Sequence, residues 1–387
     1  MSPPGRPKGE YRRAQHEGSP VSATGRPERE CRSAQHEGSP VTEALLRLTD
    51  VARSFDVSAP WLNRVLERKP RVLLQAVDGV SLSIEAGETL GLVGESGCGK
   101  STVARIIVGL HPPTRGSVRF AGAVLADAAA GPRAGDRAAE RAARRGMQMI
   151  FQDPYASLDP RWRVGDIVAE PIRAQAPGIP QRVVDERVGA LLEQVGLAAG
   201  DRRRYPHQFS GGQRQRISIA RALSTQPRFL VCDEPTSALD VSVQAQVLNL
   251  MRDLQREMGL TYLFISHNLA VVHHVADRVG VMYLGRIVEI APTAQLFGRP
   301  RHPYTRMLLE AVPDLSIAGK DRIAVAGEVP NPLDPPSGCA FHPRCPWAND
   351  RCRREAPVLK EAADGHEVAC HAVDELRLDA INAAAAA

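Results

Sequence analysis

The sequence predicts an α/β fold built around a mostly parallel sheet. From Ala44 onward, short apolar runs alternate with longer helical stretches, glycine turns separate them, and three of the runs end directly in polar residues. These runs are residues 90–93 (LGLV), 229–232 (FLVC) and 262–265 (YLFI). Each is expected to be a buried strand, and ligands bind beyond the carboxyl ends of such strands.

Length and composition exclude several classes of protein. The 387 residues suffice for two or three domains, and no apolar stretch reaches the ~20 residues of a membrane-spanning helix. The 49 Lys and Arg are interleaved with 44 Asp and Glu, so we expect no nucleic-acid partner. Because the first forty residues lack the apolar core of a secretory signal, the expected compartment is the cytoplasm.

Composition also divides the chain. Residues 5–21 and 25–41 are imperfect copies rich in Gly, Pro, Arg and Glu, so residues 1–43 are predicted to be a disordered tail. Residues 121–145 are expected to form a surface insertion. Apolar spacing predicts a helix over residues 241–257, and dense prolines after Gly298 indicate a second, loop-rich unit.

Residues 94–101, GESGCGKS, match the phosphate-binding pattern G-x-x-x-x-G-K-S/T between a predicted strand and a predicted helix. The glycines let backbone N–H groups converge on phosphate oxygens, Lys100 can reach the β- and γ-phosphates, and the Ser101 hydroxyl can bind Mg²⁺. The predicted nucleotide-binding residues are Gly94, Glu95, Ser96, Gly97, Cys98, Gly99, Lys100, Ser101 and Thr102.

Two adjacent carboxylates end the strand predicted at residues 229–232. Side chains alternate along a strand, so Asp233 and Glu234 cannot do the same job. Asp233 suits the Mg²⁺ shell, and Glu234 could polarise the water that attacks a γ-phosphate. The turn at 210–213 (SGGQ) opens a predicted helix and is a second anion-accepting helix N-terminus. One nucleotide does not need two cradles, so this turn is expected to face the nucleotide of another copy.

Six motifs in this order resemble the ATP-binding cassette of ABC transporters over residues 44–300. They are GESGCGKS, FQDP at 151–154, FSGGQ at 209–213, CDEP at 232–235, SALD at 237–240 and ISHN at 265–268. The resemblance implies a P-loop NTPase cassette that binds ATP and Mg²⁺, with a mixed sheet flanked by helices and a helical subdomain at about residues 155–225.

The resemblance also implies roles for single residues. Gln152 would touch Mg²⁺ or the attacking water and relay to the membrane subunit, and His267 would contact the γ-phosphate. Asp240 would lie in the loop that links two sites. Phe55 has the place of the aromatic that stacks on adenine, but residues 56–74 are inserted after it, and Trp61 is the other candidate. The opposite protomer's γ-phosphate would be contacted by Ser210, Gly211, Gly212 and Gln213.

Residues 301–387 resemble the C-terminal extension of ATPases from dipeptide and oligopeptide importers, above all their second ATPase subunit. The motifs are HPYT at 302–305, VPNP at 329–332, PPSGC at 335–339 and RCP at 344–346. Nickel importers carry similar extensions. The spacing C-x₅-C-x₆-C-x₁₇-C of Cys339, Cys345, Cys352 and Cys370 suits a zinc ion or an iron–sulfur cluster. The resemblance favours a 4Fe–4S cluster, and four metal-free thiols are the alternative.

The predicted function is that of an ATP-hydrolysing subunit of a peptide importer at the cytoplasmic face of the membrane. The implied partners are a second ATPase subunit, identical or a paralogue, two permease subunits and, indirectly, a solute-binding protein. Import of nickel or another small solute is an alternative. A cassette protein of ribosomes or DNA is disfavoured because the chain has one cassette and no sustained heptads. A regulatory module that senses iron or redox state is disfavoured by the intact Glu234 and His267.

Overall fold

A computed structural model describes residues 44–66, 68, 70–130, 137–311, 327–363 and 365–378. The predicted disordered tail, residues 1–43, lies outside the described residues.

The strands of these ranges form a four-stranded and an eight-stranded sheet. They are β1 (Leu46–Asp56), β2 (Leu73–Ile84), β3 (Thr89–Val93), β4 (Arg115–Phe120), β5 (Ala123–Asp127), β6 (Met147–Ile150), β7 (Phe229–Asp233), β8 (Thr261–Ile265), β9 (Arg278–Tyr283), β10 (Arg286–Pro292), β11 (Lys360–Ala363) and β12 (His366–Val368). The three strands predicted from the apolar runs are therefore confirmed as β3, β7 and β8.

The larger sheet is mixed, with the order β11-β12-β10-β9-β3-β8-β7-β6. Strands β9, β3, β8, β7 and β6 run parallel, whereas β10, β12 and β11 add antiparallel pairs at one edge. The smaller sheet, in the order β2-β1-β4-β5, is antiparallel throughout. The mixed α/β architecture that the sequence predicted is confirmed.

Helices lie between most of the strands along the chain. They are α1 (Trp61–Leu66), α2 (Lys100–Ile107), α3 (Arg137–Arg145), α4 (Pro154–Ser157), α5 (Val164–Gln175), α6 (Gln181–Gln194), α7 (Gly211–Leu223), α8 (Val241–Met258), α9 (Leu269–Val275), α10 (Thr293–Gly298), α11 (Pro303–Glu310), α12 (Asp350–Arg354) and α13 (His371–Asp374). Short 3₁₀ turns lie at Ala199–Arg203, Pro206–Gln208 and His342–Arg344. No helix in the described ranges is both long and apolar enough to cross a bilayer.

The side chains of the central strands point alternately to the two faces of the sheet and so belong to two separate hydrophobic cores. In β7, Leu230 and Cys232 join the core formed with α5 to α9, whereas Phe229 and Val231 join the core shared with α2 and the antiparallel sheet. Consecutive side chains of a strand point to opposite faces. All five residues of β7 are buried, which explains why its first four residues form an unbroken apolar run rather than an alternating one.

The helix predicted over residues 241–257 is confirmed as α8. Val247, Met251 and Leu254 are buried, and the helix ends at Gly259, whose φ of +63° is the left-handed conformation that favours glycine. Near the start of the same helix, Val243 is only half-buried.

The prediction of a surface insertion over residues 121–145 is wrong for its first part. Residues Ala123–Asp127 form β5, which pairs with β4 at the edge of the smaller sheet, and Leu125 is buried. Only Leu125 of these five residues is buried, so the sequence carries no alternation long enough to predict a strand.

The C-terminal residues continue the larger sheet rather than standing apart from it. Strand β12 pairs with β10, and the His366 Nε2 to Glu289 Oε1 distance is 2.6 Å between two fully buried side chains. Glu289 also accepts bonds from the backbone N–H groups of Arg301 and His302. Burial lowers the pKa of His302 to about 4, so its neutral ring accepts the Tyr304 N–H at 3.0 Å and caps α11.

Candidate functional site

The register of the parallel strands gathers the predicted site residues at one edge of the sheet. Leu92 of β3 lies opposite Ile265 of β8, and Ile265 lies opposite Asp233 of β7. The loop after β3, the carboxylates that end β7 and the histidine that follows β8 therefore emerge at the same level. This is the edge at which open α/β sheets bind ligands.

The loop at residues 94–99 is held against backbone atoms of two neighbouring strands. Gly94 has φ +149°, and a Cβ there would lie 2.2 Å from the Met282 carbonyl oxygen of β9. Gly99 has φ +107°, and a Cβ there would lie 2.2 Å from the Ala76 carbonyl oxygen of β2. Both positions require glycine for sterics as well as for backbone conformation. They place the loop at the N-terminus of α2.

The side chains after the loop are tied to it and to β7. The Lys100 ammonium donates to the carbonyl oxygens of Gly94 at 2.7 Å and Glu95 at 3.0 Å. The Ser101 hydroxyl donates to Asp233 Oδ1 at 2.9 Å. Burial raises the pKa of Asp233, and the Ser101 hydrogen bond opposes that shift. A hydroxyl and a carboxylate oxygen in contact are the ligand types that Mg²⁺ prefers.

Glu234 is bracketed by the two other residues predicted to be catalytic. Its Oε2 accepts a hydrogen bond from Gln152 Nε2 at 3.0 Å and lies 3.1 Å from His267 Nδ1. The Glu234 side chain is only 12% exposed, whereas that of His267 is 57% exposed. Glu234 has φ +48°, an uncommon conformation for a residue with a side chain, and strain of this kind clusters at functional sites.

These side chains border an open cleft beside the loop. Its lining consists of Ser96, Gln152, Asp153, Glu234, Ser237, Ala238 and His267. Ser237 belongs to the SALD motif, but the sequence did not predict a role for its side chain. Its hydroxyl donates to the Glu234 carbonyl oxygen at 3.1 Å and so supports the strained turn. A carboxylate at the edge of such a cleft, next to a phosphate-binding loop, can accept a proton from water.

The turn at residues 210–213 begins α7 and is not part of the lining of that cleft. Ser210 Oγ accepts the Gln213 N–H at 3.4 Å, and Gln213 Oε1 accepts the Ser210 N–H at 3.0 Å, which is a capping box. Both residues are exposed, and Gly211 is half-buried. Gly212 is buried against α8. A Cβ at this position would lie 2.3 Å from Val243 Cγ1, so no larger residue fits there. Asp240 is exposed at the residue before α8.

The remaining nucleotide-binding candidates lie around the loop or on β1. Thr102 is half-buried in the first turn of α2, and the Cys98 sulfur lies 3.6 Å from Lys100 Nζ. Phe55 is half-buried, with its ring edge-on to His111 at 5.3 Å. Trp61 is 71% exposed in the short helix α1. Both aromatic candidates therefore keep surface for a ligand, and the choice between them stays a prediction.

The four C-terminal cysteines are free thiols, and the described part of the chain contains no group of three or more His, Cys, Asp or Glu side chains placed to hold a metal ion. The predicted iron–sulfur or zinc site thus has no support from the geometry. Burial raises the pKa of Cys339 to about 11 and that of Cys345 to about 12. The spacing of cysteines along the chain does not by itself fix the distances between their sulfur atoms in space.

Two residues near the phosphate-binding loop escaped the sequence argument. The Tyr304 hydroxyl accepts the Glu95 N–H at 2.9 Å. The Arg344 guanidinium donates to both Glu95 carboxylate oxygens, at 2.8 and 3.0 Å. Both belong to C-terminal motifs that were quoted for resemblance, but no signal in the sequence placed them against a loop more than 200 residues earlier.

Comparisons with known protein families agree with this geometry. Residues 77–237 match the ABC transporter family, and residues 288–352 match the C-terminal region of oligopeptide and dipeptide transporters.

Individual relatives and solved structures extend the match. The chain is 49% identical over 334 residues to a di/tripeptide transport ATP-binding protein, DppF, of Pseudomonas aeruginosa, covering 86% of this chain and 99% of that protein. It is 47% identical to the oligopeptide transport ATP-binding protein AppF of Bacillus subtilis, covering 85% and 97%. Among solved structures, cbiO1 of Clostridium perfringens, part of an ABC transporter complex, aligns with a TM-score of 0.54 at 25% identity over 66% of this chain and 91% of that one.

Another solved structure is an ATP-binding cassette dimer in a post-hydrolysis state with ADP and phosphate. It aligns with a TM-score of 0.54 at 26% identity over 64% of this chain and 98% of that chain.

Gly99 and Gly97 differ in the space around them, so alanine substitutions at the two positions should lower the free energy of unfolding by different amounts. Gly99→Ala should lower the free energy of unfolding by about 3 kcal/mol, because it adds overpacking against the Ala76 carbonyl to a left-handed backbone. Gly97→Ala is the matched control: its φ is +80°, but a Cβ there meets nothing within 4 Å, so the expected loss is about 1 kcal/mol. Urea unfolding measures both. Equal losses would contradict the close approach to β2.

Proposed function

We propose a role in peptide uptake for this chain, which belongs to the ATP-binding subunits of the ABC transporter family and is an ATPase. Two findings support this substrate class. Relatives that match nearly along their full length are named for transport of di- and tripeptides or oligopeptides. The C-terminal match is to the region shared by oligopeptide and dipeptide transporters.

The reaction is hydrolysis of ATP to ADP and phosphate. In the proposal, the backbone N–H groups of residues 94–99 and the Lys100 ammonium bind the phosphates, for which the N-terminus of α2 supplies additional positive potential. Ser101 and Asp233, whose oxygens are 2.9 Å apart, hold Mg²⁺ together with Gln152. Mg²⁺, when bound, neutralises charge on the β- and γ-phosphate oxygens.

Glu234 carries the proposed chemistry, and its position between Gln152 and His267 is the observation that supports it. The carboxylate accepts a proton from the water that attacks the γ-phosphorus, while the P–O bond to the leaving ADP breaks. Gln152 donates to the same Oε2 at 3.0 Å and so restricts the rotation of this carboxylate. The ring of His267 is exposed, so it can turn its Nδ1–H from Oε2, 3.1 Å away, and donate that N–H to the γ-phosphate.

The proposed active unit contains two cassettes. The turn at residues 210–213, in which Ser210 and Gln213 are exposed, does not line the cleft that holds Glu234, although its backbone N–H groups at the start of α7 suit a phosphate. In a pair of cassettes, this turn would contact the nucleotide bound by a second ATPase subunit, which is identical or a paralogue. Closure of the pair around ATP and reopening after hydrolysis would then drive two permease subunits, to which a solute-binding protein delivers the peptide. This chain would lie at the cytoplasmic face of the membrane.

Removal of the proposed base should separate binding from turnover. Glu234→Gln keeps the size of the side chain but cannot accept the proton, so the hydrolysis rate should fall on the order of 10²-fold or more while ATP affinity stays within about twofold. Phosphate release and equilibrium titration measure the two quantities. Glu186→Gln, in an exposed ion pair on α6, is the control and should change neither. Hydrolysis near the wild-type rate in Glu234→Gln would exclude this base.

Uptake by intact cells tests the substrate class. Cells that depend on this chain should accumulate labelled di- or tripeptides and should lose that uptake when Lys100→Ala replaces the native chain, because the variant lacks the cation for the phosphates. Uptake of labelled nickel should be unaffected. Loss of nickel uptake with normal peptide uptake would replace the peptide proposal by the alternative solute.

For the four C-terminal cysteines, the proposal is a thiolate-bound 4Fe–4S cluster, with zinc as the alternative. The support is their spacing along the chain, together with the backbone hydrogen bond from the Cys339 N–H to the Cys352 carbonyl oxygen at 2.8 Å, which brings two of the four cysteines into neighbouring turns. A bound cation would favour the thiolate form of these side chains.

Metal analysis of the anaerobically purified chain tests this site. A cluster should give broad visible absorption and several iron atoms per chain, whereas zinc should give one colourless ion. Either signal should disappear in Cys345→Ser/Cys352→Ser. A chain that contains neither metal would overturn the proposal.

A further inference from the structure

A buried arginine of the C-terminal segment reaches the phosphate-binding loop. The Arg344 side chain is only 2% exposed, and its two terminal nitrogens pair with both carboxylate oxygens of Glu95, which is 21% exposed. Bidentate pairs of this kind fix orientation as well as charge. Glu95 is the second residue of the GESGCGKS loop, so the pair acts directly on the loop backbone.

The backbone of Glu95 is held at both of its polar atoms. Its N–H donates to the Tyr304 hydroxyl at 2.9 Å, and its carbonyl oxygen accepts from Lys100 Nζ at 3.0 Å. With the Arg344 pair, three separate contacts therefore fix one loop residue. Two of them come from outside the core that the loop shares with β3 and α2.

A buried aromatic cluster keeps these partners rigid. The Tyr304 ring lies 4.7 Å from the Tyr283 ring and 5.5 Å from the Phe341 ring, measured between centroids. The Arg344 guanidinium lies 5.8 Å from the Tyr283 centroid and donates to its hydroxyl at 3.4 Å. Tyr283 ends β9, next to the Met282 carbonyl that excludes a side chain at Gly94. The cluster thus connects the C-terminal segment to the same strand end that supports the loop.

Charge gives the contact a consequence for ligand binding. A carboxylate in a loop whose amides bind polyphosphate would repel that anion, because unit charges a few ångströms apart interact by several kcal/mol when partly buried. A guanidinium paired with both oxygens removes the repulsion. It also competes with the loop's own N–H groups and Lys100 for the carboxylate, which leaves those donors for phosphate.

We infer that Arg344 and Tyr304 are positioning residues for ATP binding: Arg344 neutralises and orients Glu95, and Tyr304 fixes the Glu95 amide, so that the phosphate-binding loop is completed by the C-terminal segment. This inference rests on the proposed binding of ATP at residues 94–101. It gives the C-terminal segment a direct effect on nucleotide affinity.

The test compares single and double variants of the full-length chain. Arg344→Gln should raise both the Kd and the KM for ATP about tenfold or more, because it leaves the Glu95 charge unpaired in the loop, and should leave kcat at saturating ATP within about twofold. Glu95→Gln combined with Arg344→Gln should restore the Kd to within about threefold of wild type, since the two amides can bond each other and no charge remains. Arg351→Gln, which removes the ion pairs of an exposed arginine with Glu355 and Glu375 in the same segment, is the matched control and should leave the Kd unchanged.

Several outcomes would overturn the inference. A folded Arg344→Gln variant with wild-type affinity would show that the ion pair does not act on nucleotide. A double variant as weak as the single one would show that Arg344 serves packing and not charge. If Arg344→Gln does not fold, Tyr304→Phe carries the test: it keeps the ring and removes the acceptor of the Glu95 N–H, so a folded variant should bind ATP about threefold more weakly, and an unchanged Kd would refute the proposal. Failure of the wild-type chain to bind ATP would instead refute the proposed function.

Discussion

The register of three parallel strands is the constraint on which the site depends. Leu92, Ile265 and Asp233 lie side by side on β3, β8 and β7, so the chain segments that follow them start from the same level of the sheet. A shift of one residue in any of these pairings would turn every side chain of that strand to the opposite face. The separation of the two cores, each with its own set of buried side chains, makes such a shift costly.

Given that register, the phosphate-binding loop is confined by backbone on two sides. The carbonyl oxygens of Met282 and Ala76 occupy the space where side chains of Gly94 and Gly99 would lie. The antiparallel sheet therefore contributes to the site through its backbone, since Ala76 belongs to β2 and supplies no functional side chain. The aromatic cluster behind the loop adds a third boundary, which comes from the C-terminal segment.

The chemistry of the site is divided between buried and exposed parts. Ser101 and Asp233 are hydrogen-bonded to each other, and Glu234 accepts a bond from Gln152, whereas His267, Ser210 and Gln213 are exposed. This division suits the proposed two-cassette unit, because the groups that would meet a second subunit must remain accessible. The capping box of Ser210 and Gln213 keeps the start of α7 ordered without a partner chain.

The sequence by itself determined the local elements and the residue types of the site. The loop glycines, Lys100 and Ser101 were evident because phosphate binding demands a fixed local spacing, and the strands at β3, β7 and β8 were evident because burial on both faces requires unbroken apolar runs. Only the tertiary structure placed Gln152 and His267 on the Glu234 carboxylate and turned residues 123–127 into an edge strand. It also brought Arg344 and Tyr304 to Glu95 across 249 and 209 residues of sequence. Local spacing constrains only neighbours along the chain, whereas these contacts depend on how independent elements pack, and packing is decided by the summed burial of side chains that no single motif contains.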